Sequence, residues 1–146
     1  MNKKADLLEN SIVVSVGRTR RVIASAINKK IAEAGHDLTI EQIILIKKIG
    51  EEEGIKQQEL ANKIFKEKAT ITRALNKMEQ KNLIVRIVDK EDKRQKLIYL
   101  THKGKELKKT LMPIVLEVSQ EAEKGIAKKD IQFCREILNK IIYNIV

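Results

Sequence analysis

The segment 68–81 carries polar side chains that could contact a nucleic acid. Projected on a helical wheel, one side of this segment is apolar and the opposite side is polar. The apolar side consists of Ile71, Ala74, Leu75 and Met78, and the polar side includes Thr70, Thr72, Arg73, Asn76 and Lys77. Arginine and asparagine can pair with guanine and adenine edges, and threonine can bond a phosphate or touch a thymine methyl group. An ordinary solvated helix face has the same character, so the neighbouring elements must decide between the two interpretations.

The order of the elements predicted around this segment helps to decide between the two interpretations. A short helix over 57–64 and a tight connection precede the helix over 68–81. Asn82 then stands where a helix C-terminus needs positive φ, and strands over 83–88 and 96–100 flank a charged turn. A short helix, a tight connection, a second helix and a hairpin form a winged helix-turn-helix, which is a DNA-binding arrangement.

Long helices are predicted on both sides of this module. An apolar stripe indicates one helix over 7–34, which Gly35 ends, and Thr39 with Gln42 forms a capping box for the next helix. Thr101 can cap a further helix that ends near Gly125. The last helix has apolar residues at the spacing of a coiled-coil seam, which needs a partner helix: Ile131, Cys134, Leu138, Ile141 and Ile145. The fold class is therefore mainly α with a small β-hairpin wing, as one domain over 1–146.

The positive charge of the chain is concentrated in its middle. Residues 56–96 hold 12 Lys and Arg against 6 Asp and Glu, so +6 of the net charge of +10 lies there. Such a segment is expected where phosphates are neutralised, because those contacts release counterions and increase affinity. A solvated lysine-rich surface is the alternative, and charge alone does not separate the two.

The hairpin and the helices resemble the MarR family (multiple antibiotic resistance regulators). The wing motif of that family is Asp, any residue, Arg, then a strand ending in Leu-Thr and a helix with Gly near its start. This chain has Asp92, Lys93 and Arg94, followed by Leu97, Leu100, Thr101 and Gly104. The helix KATITRALNKMEQKNLI is similar to the family's recognition helix, and the helices before and after it extend the resemblance over nearly all 146 residues.

The resemblance implies a triangular homodimer on double-stranded DNA. Residues 36–101 would form the winged helix-turn-helix, and residues 1–35 and 102–146 the interlocking dimerisation helices. The recognition helices would enter successive major grooves, and the wing arginines the flanking minor grooves. In this chain the implied DNA-binding residues are Lys68, Thr70, Thr72, Arg73, Asn76, Lys77 and Arg94, and Asp92 would support the wing without touching DNA.

Four other residues could carry chemistry. Cys134 is expected to be a small buried packing residue, with a redox-sensing thiol as the alternative. His36 and His102 lack neighbours at metal-ligand spacing, so no metal or other cofactor is expected. Arg20 falls within the apolar stripe of the first helix, where it could form a salt bridge or bind an anionic effector.

The composition limits the remaining function classes. Catalytic triads, paired carboxylates in an apolar setting and glycine-rich phosphate loops are not identified, so no enzyme activity is expected. No apolar run approaches the roughly 18 residues of a membrane span, and the one cysteine fits a reducing cytoplasm.

The expected function is that of a homodimeric, cytoplasmic repressor that binds a pseudo-palindromic operator and is released by a small anionic or aromatic effector. The alternative is a winged-helix scaffold for protein interaction, without sequence-specific DNA binding.

Overall fold

The computed structural model describes residues 3–146, and side chains from residue 6 onward. The structure is mainly helical with a small sheet, which confirms the predicted fold class. The helices are α1 (Lys3–Glu9), α2 (Ile12–Glu33), α3 (Ile40–Glu51), α4 (Gln57–Lys63), α5 (Lys68–Gln80), α6 (His102–Ala122) and α7 (Lys128–Ile145). The strands are β1 (Ile55–Lys56), β2 (Ile84–Val88) and β3 (Lys96–Leu100).

The prediction of a single first helix over 7–34 is wrong. The chain leaves the helical conformation at Ser11, which has an extended backbone with φ −78° and ψ 152°. The Ser11 hydroxyl accepts a hydrogen bond from the Val14 amide at 3.4 Å, so serine caps a new helix instead of continuing the old one. Gly35 ends α2 as predicted, with φ +84°.

The core is formed by α3, α4, α5 and the sheet, and α2 and α6 complete it with Ile27, Ile31, Leu111 and Val118. The capping box at the start of α3 is confirmed, because Thr39 and Gln42 each accept a hydrogen bond from the other's backbone amide. The sheet is antiparallel in the order β1-β3-β2, with Ile55 opposite Ile98 and Arg86 opposite Ile98 on the other side. Strand β1 was not predicted, because two residues are too few to show an alternating pattern.

The start of β2 and the start of α6 are joined by a close contact. Asn82 has φ +57°, as predicted, and its carbonyl oxygen accepts a hydrogen bond from the Thr101 hydroxyl at 2.7 Å. The Thr101 amide donates to the carbonyl oxygen of Leu83 at 3.0 Å. A Cβ atom on the buried Gly104 would overlap that same oxygen and lie 3.1 Å from the Leu83 carbonyl carbon. The two elements can approach this closely only because position 104 has no side chain.

The terminal helices leave a large apolar surface uncovered. No residue of α7 is buried in the described single chain. Exposed apolar residues of α1, α2 and α7 include Leu7, Leu8, Ile12, Val13, Val22, Phe133, Ile142 and Ile145. Cys134 is also exposed, so the prediction that it is a buried packing residue is wrong for this chain alone, since the stripe of α7 has nothing packed over it.

Neither a membrane-spanning helix nor a metal-binding cluster occurs in the part of the chain that the structure describes. None of its helices combines the length and the apolar character needed to cross a membrane. Nor do its His, Cys, Asp and Glu residues form a group of three or more that could hold a metal ion.

Candidate nucleic-acid interface

Helix α5 presents the polar side that the sequence predicts. Ile71, Leu75 and Met78 are buried in the core, and they fix the rotation of the helix about its axis. Arg73 and Asn76, on the opposite side, are exposed. The separation of the two sides is a direct consequence of helical spacing, because residues three and four apart lie on one face.

The basic and polar candidates of α5 differ in their surroundings. Lys68, Arg73 and Lys77 are exposed, and Thr70 is half-buried. The Arg73 guanidinium approaches the Thr70 hydroxyl, with 3.5 Å between Nη2 and Oγ1. At this distance the bond is weak, so the guanidinium is free to turn toward a base edge or a phosphate.

Thr72 is already engaged by its own chain. Its hydroxyl donates to the carbonyl oxygen of Lys68 at 2.9 Å and accepts from the Gln57 side-chain amide at 2.7 Å. A hydroxyl has one proton to donate. Thr72 therefore fastens the first turn of α5 to the start of α4, and what it offers outward is a remaining lone pair and its methyl group.

Asn76 is held by an arginine that sequence reasoning did not select. Arg86, in the middle of β2, donates from Nη2 to the Asn76 side-chain oxygen at 2.7 Å and to the Glu79 carboxylate. The Arg86 side chain is only 12% exposed, and the ion pair with it lowers the pKa of Glu79 below its ordinary value. Within residues 6–146, the buried Nε of Arg86 has no hydrogen-bond partner. The only sequence signal for this arginine was a charged residue inside a predicted strand.

The wing is tied together by two aspartates. Asp92 is half-buried, and its carboxylate accepts from the Arg94 amide at 3.1 Å and from the Gln95 side-chain amide at 3.0 Å. Asp89, which sequence reasoning missed, is buried, accepts from the Glu91 amide at 3.0 Å and lies 3.6 Å from Lys56 Nζ. Short-range bonds of this kind form an Asx turn, which sets the direction in which the exposed Arg94 leaves the hairpin.

The seven DNA-binding candidates are divided between two surface clefts. Lys68, Thr72 and Arg94 line a cleft of about 310 Å³ between α4, α5 and the wing, together with Arg86 and Lys96. Thr70, Arg73, Asn76 and Lys77 line a cleft of about 500 Å³ between α5 and the start of α3. The first cleft contains four cations and no carboxylate among its lining residues, and it is therefore suited to an anion such as a phosphate.

Arg20 does not pack in an apolar stripe. Its side chain on α2 is 64% exposed, and its guanidinium lies 3.9 Å from the Glu41 carboxylate, which borders the second cleft. A third and larger cleft, of about 640 Å³, lies between the α2–α3 loop and α6 and is not lined by Arg20. Its wall combines Leu83 and Leu107 with two lysines and two carboxylates, namely Lys81, Lys103, Asp37 and Glu106, so it has apolar surface and charges of both signs.

Comparison with known proteins finds a matching family model and similar transcriptional regulators. The model of the MarR family matches residues 38–96, which run from just before α3 to the first residue of β3. The HTH-type transcriptional regulator SarZ of Staphylococcus haemolyticus is 35% identical over 95 residues. The alignment spans 65% of this chain and 65% of SarZ, just under two thirds of its length.

Solved structures match over a larger part of the chain. A putative MarR family transcriptional regulator from Listeria monocytogenes, in complex with a 26mer DNA, has a TM-score of 0.84 and 27% identity. The match covers 93% of this chain and 89% of that one. CouR from Rhodococcus jostii RHA1, bound to p-coumaroyl-CoA, has a TM-score of 0.79 with 92% and 93% coverage, and at 23% identity it supports the fold alone.

Proposed function

We propose that this chain is a member of the MarR family, a transcriptional regulator that binds a specific double-stranded DNA sequence. Four exposed cations on α5 and the wing carry the proposal, because they make this side of the winged helix-turn-helix basic: Lys68, Arg73, Lys77 and Arg94. The DNA complex of the Listeria relative favours DNA binding over a protein-interaction scaffold. We assign the chain no enzyme activity and place its action in the cytoplasm.

The working form is proposed to be a homodimer. The uncovered apolar residues of α1, α2 and α7 are too many to be left in water, and a second copy would bury them against an identical surface. In this arrangement residues 36–101 bind DNA, and residues 1–35 and 102–146 form the dimer. Two α5 helices related by a two-fold axis would then contact a pseudo-palindrome whose half-sites are roughly 10 base pairs apart.

Replacement of Arg94 by alanine tests the role of the wing. We expect the affinity for the operator to fall about 5- to 100-fold, because one base-edge or minor-groove arginine contact is lost. The affinity of the parent protein should also fall steeply with salt, with a slope of about −0.9 per phosphate contacted in a plot of log affinity against log salt. Fluorescence anisotropy with an operator found by genomic selection measures both quantities.

Lys124→Ala is the control for charge, since it removes one cation from the turn between α6 and α7, far from the wing. Its affinity should stay within about twofold of the parent value. Salt-independent binding by the parent, or equal losses in the two variants, would contradict the proposed interface.

A small anionic or aromatic effector is proposed to release the DNA. The larger cleft beside α6 is the candidate site, because its leucines can cover an aromatic ring and Lys81 and Lys103 can pair with a carboxylate, against the negative charge of Asp37 and Glu106 in the same wall. A ligand bound there would favour one dimer geometry and thereby weaken the other, DNA-bound geometry. Both the family resemblance and the lining of this cleft therefore support a repressor that is regulated by an effector.

Two variants compare the candidate positions for the effector. If the cleft beside α6 is the site, Lys103→Ala should bind aromatic carboxylates about tenfold more weakly, because one charge-assisted hydrogen bond is lost. Calorimetric titration measures this affinity. Arg20→Ala should give weaker binding if the anion instead pairs with Arg20 and displaces the Glu41 carboxylate, which lies 3.9 Å away. Parent affinity in Arg20→Ala would remove Arg20 as a candidate, and parent affinity in both variants would remove both positions.

A further inference from the structure

The polar residues of α5 are not equally available to DNA. The Asn76 side-chain oxygen accepts a hydrogen bond from Arg86 Nη2 at 2.7 Å. A guanidinium has donors only, so the atom that faces it must be the amide oxygen, and the orientation of the whole side-chain amide follows. Arg73, by contrast, has only the long contact to Thr70 and keeps its donors free.

Adenine recognition by Asn76 would disturb this arrangement. An asparagine that pairs with adenine accepts from N6 with its oxygen and donates to N7 with its nitrogen. In this structure the oxygen is already bound to Arg86, whose side chain is only 12% exposed. Turning the amide toward a base would take a hydrogen bond from a mostly buried cation, which is unfavourable because little water can replace the lost bond.

The same arginine holds a second residue of α5. Glu79 lies three residues after Asn76, so the two side chains are neighbours on one face of the helix, and both bind Nη2 of Arg86. The pKa of Glu79 is lowered by this pairing, so its carboxylate is charged at neutral pH. Because Arg86 lies in the middle of β2, a single guanidinium connects one turn of α5 to the hairpin that carries Arg94.

We propose that Asn76 is a positioning residue, which holds α5 against the wing through Arg86, while Thr70 and Arg73 contact the bases. The inference deepens the proposed function and rests on it, since it divides the polar residues of α5 into those that contact the bases and those that hold the helix in place. Asn76 thereby acts on DNA through Arg86 and the wing.

Replacement of Asn76 by aspartate gives the sharpest test. A carboxylate can accept the same bond from Arg86 and adds an ion pair, so Asn76→Asp should select the same DNA sequence as the parent, with affinity within about threefold. Asn76→Ala should bind the same sequence about 5- to 10-fold more weakly, because Arg86 then connects α5 to the wing through Glu79 alone. A base-reading asparagine would behave differently: its aspartate variant would lose at least about 100-fold in affinity, through repulsion of phosphates, and would change its base preference toward cytosine.

Two control variants complete the experiment, which uses selection from a random DNA pool followed by anisotropy. Thr70→Asp adds the same negative charge beside Arg73 and should abolish specific binding. Arg73→Ala should erase the preference at one position in each half-site, and thermal unfolding checks that every variant is folded.

The outcomes separate the inference from the function on which it rests. Rescue by aspartate where alanine fails, with an unchanged consensus sequence, supports the positioning role. A changed consensus in Asn76→Ala, or loss of binding in a folded Asn76→Asp, would overturn it while leaving DNA binding intact. A parent protein that selects no sequence at all would instead overturn the proposed function.

Discussion

Gly104→Ala is expected to destabilise the protein by at least about 3 kcal/mol and to lower its Tm by roughly 6–12 °C. The added Cβ would overlap the carbonyl oxygen of Leu83, an atom of the backbone that cannot rotate away. That oxygen also accepts the hydrogen bond from the Thr101 amide, so moving it would disturb the start of α6 as well as the start of β2. Thermal and urea unfolding, followed by circular dichroism, measure the change.

Gly50→Ala is the matched control, because it also adds a methyl group to a helical glycine with a crowded neighbour. The atoms in the way are the flexible end of the Lys108 side chain, with Cδ 2.6 Å from the added Cβ. Lysine can turn into water at little cost, and alanine favours the helix over glycine by about 0.5–1 kcal/mol. The control should therefore be neutral or slightly more stable. Equal destabilisation in the two variants would contradict the special role of the contact at Leu83.

Ile141→Asp is expected to separate the proposed dimer and to reduce operator affinity about 100- to 10,000-fold. Ile141 lies in the apolar stripe of α7, where a carboxylate would have to enter the interface without a partner. A monomer has one α5 helix to offer, and it loses the gain that comes from binding two half-sites together. Sedimentation gives the oligomeric state, and anisotropy gives the affinity.

Asn139→Asp introduces the same change of charge on the polar side of α7, where the residue is exposed. It should remain dimeric and bind the operator within about twofold of the parent value. A monomeric Ile141→Asp that bound the full operator as tightly as the parent would contradict the role of dimerisation, and a parent protein that sediments as a monomer would contradict the dimer itself.

Local signals in the sequence predict much of this fold. The capping box at Thr39, the positive φ at Asn82 and the end of α2 at Gly35 each depend on a residue and its nearest neighbours. The outward side of α5 is predictable for a related reason, since the core must take Ile71, Leu75 and Met78 and leaves the remaining positions to solvent. A physical rule that acts over one or two turns can be read from the order of residues alone.

Contacts between elements are harder to predict. Arg86 and Asn76 are ten residues apart on a strand and a helix, and no periodicity links them. Sequence reasoning could therefore identify Asn76 as a polar residue on the outward side but could not tell that its oxygen is occupied. Strand β1 was not predicted for the same reason, because its two residues become a strand only by pairing with β3. Phe65 has φ +52° in the turn before α5, a conformation that its residue type does not predict.

The junction of Asn82, Leu83, Thr101 and Gly104 gives the long helix α6 the properties of a lever. Its 21 residues extend about 30 Å from this pivot, and a rotation of about 5° at the pivot would move the far end by roughly 2.5 Å. The cleft lined by Leu83, Lys103 and Leu107 lies beside this pivot. A molecule bound in the cleft would therefore push on α6 close to the point about which the helix turns. A shift of a few tenths of an ångström at the cleft would then be enlarged several-fold at the far end of α6.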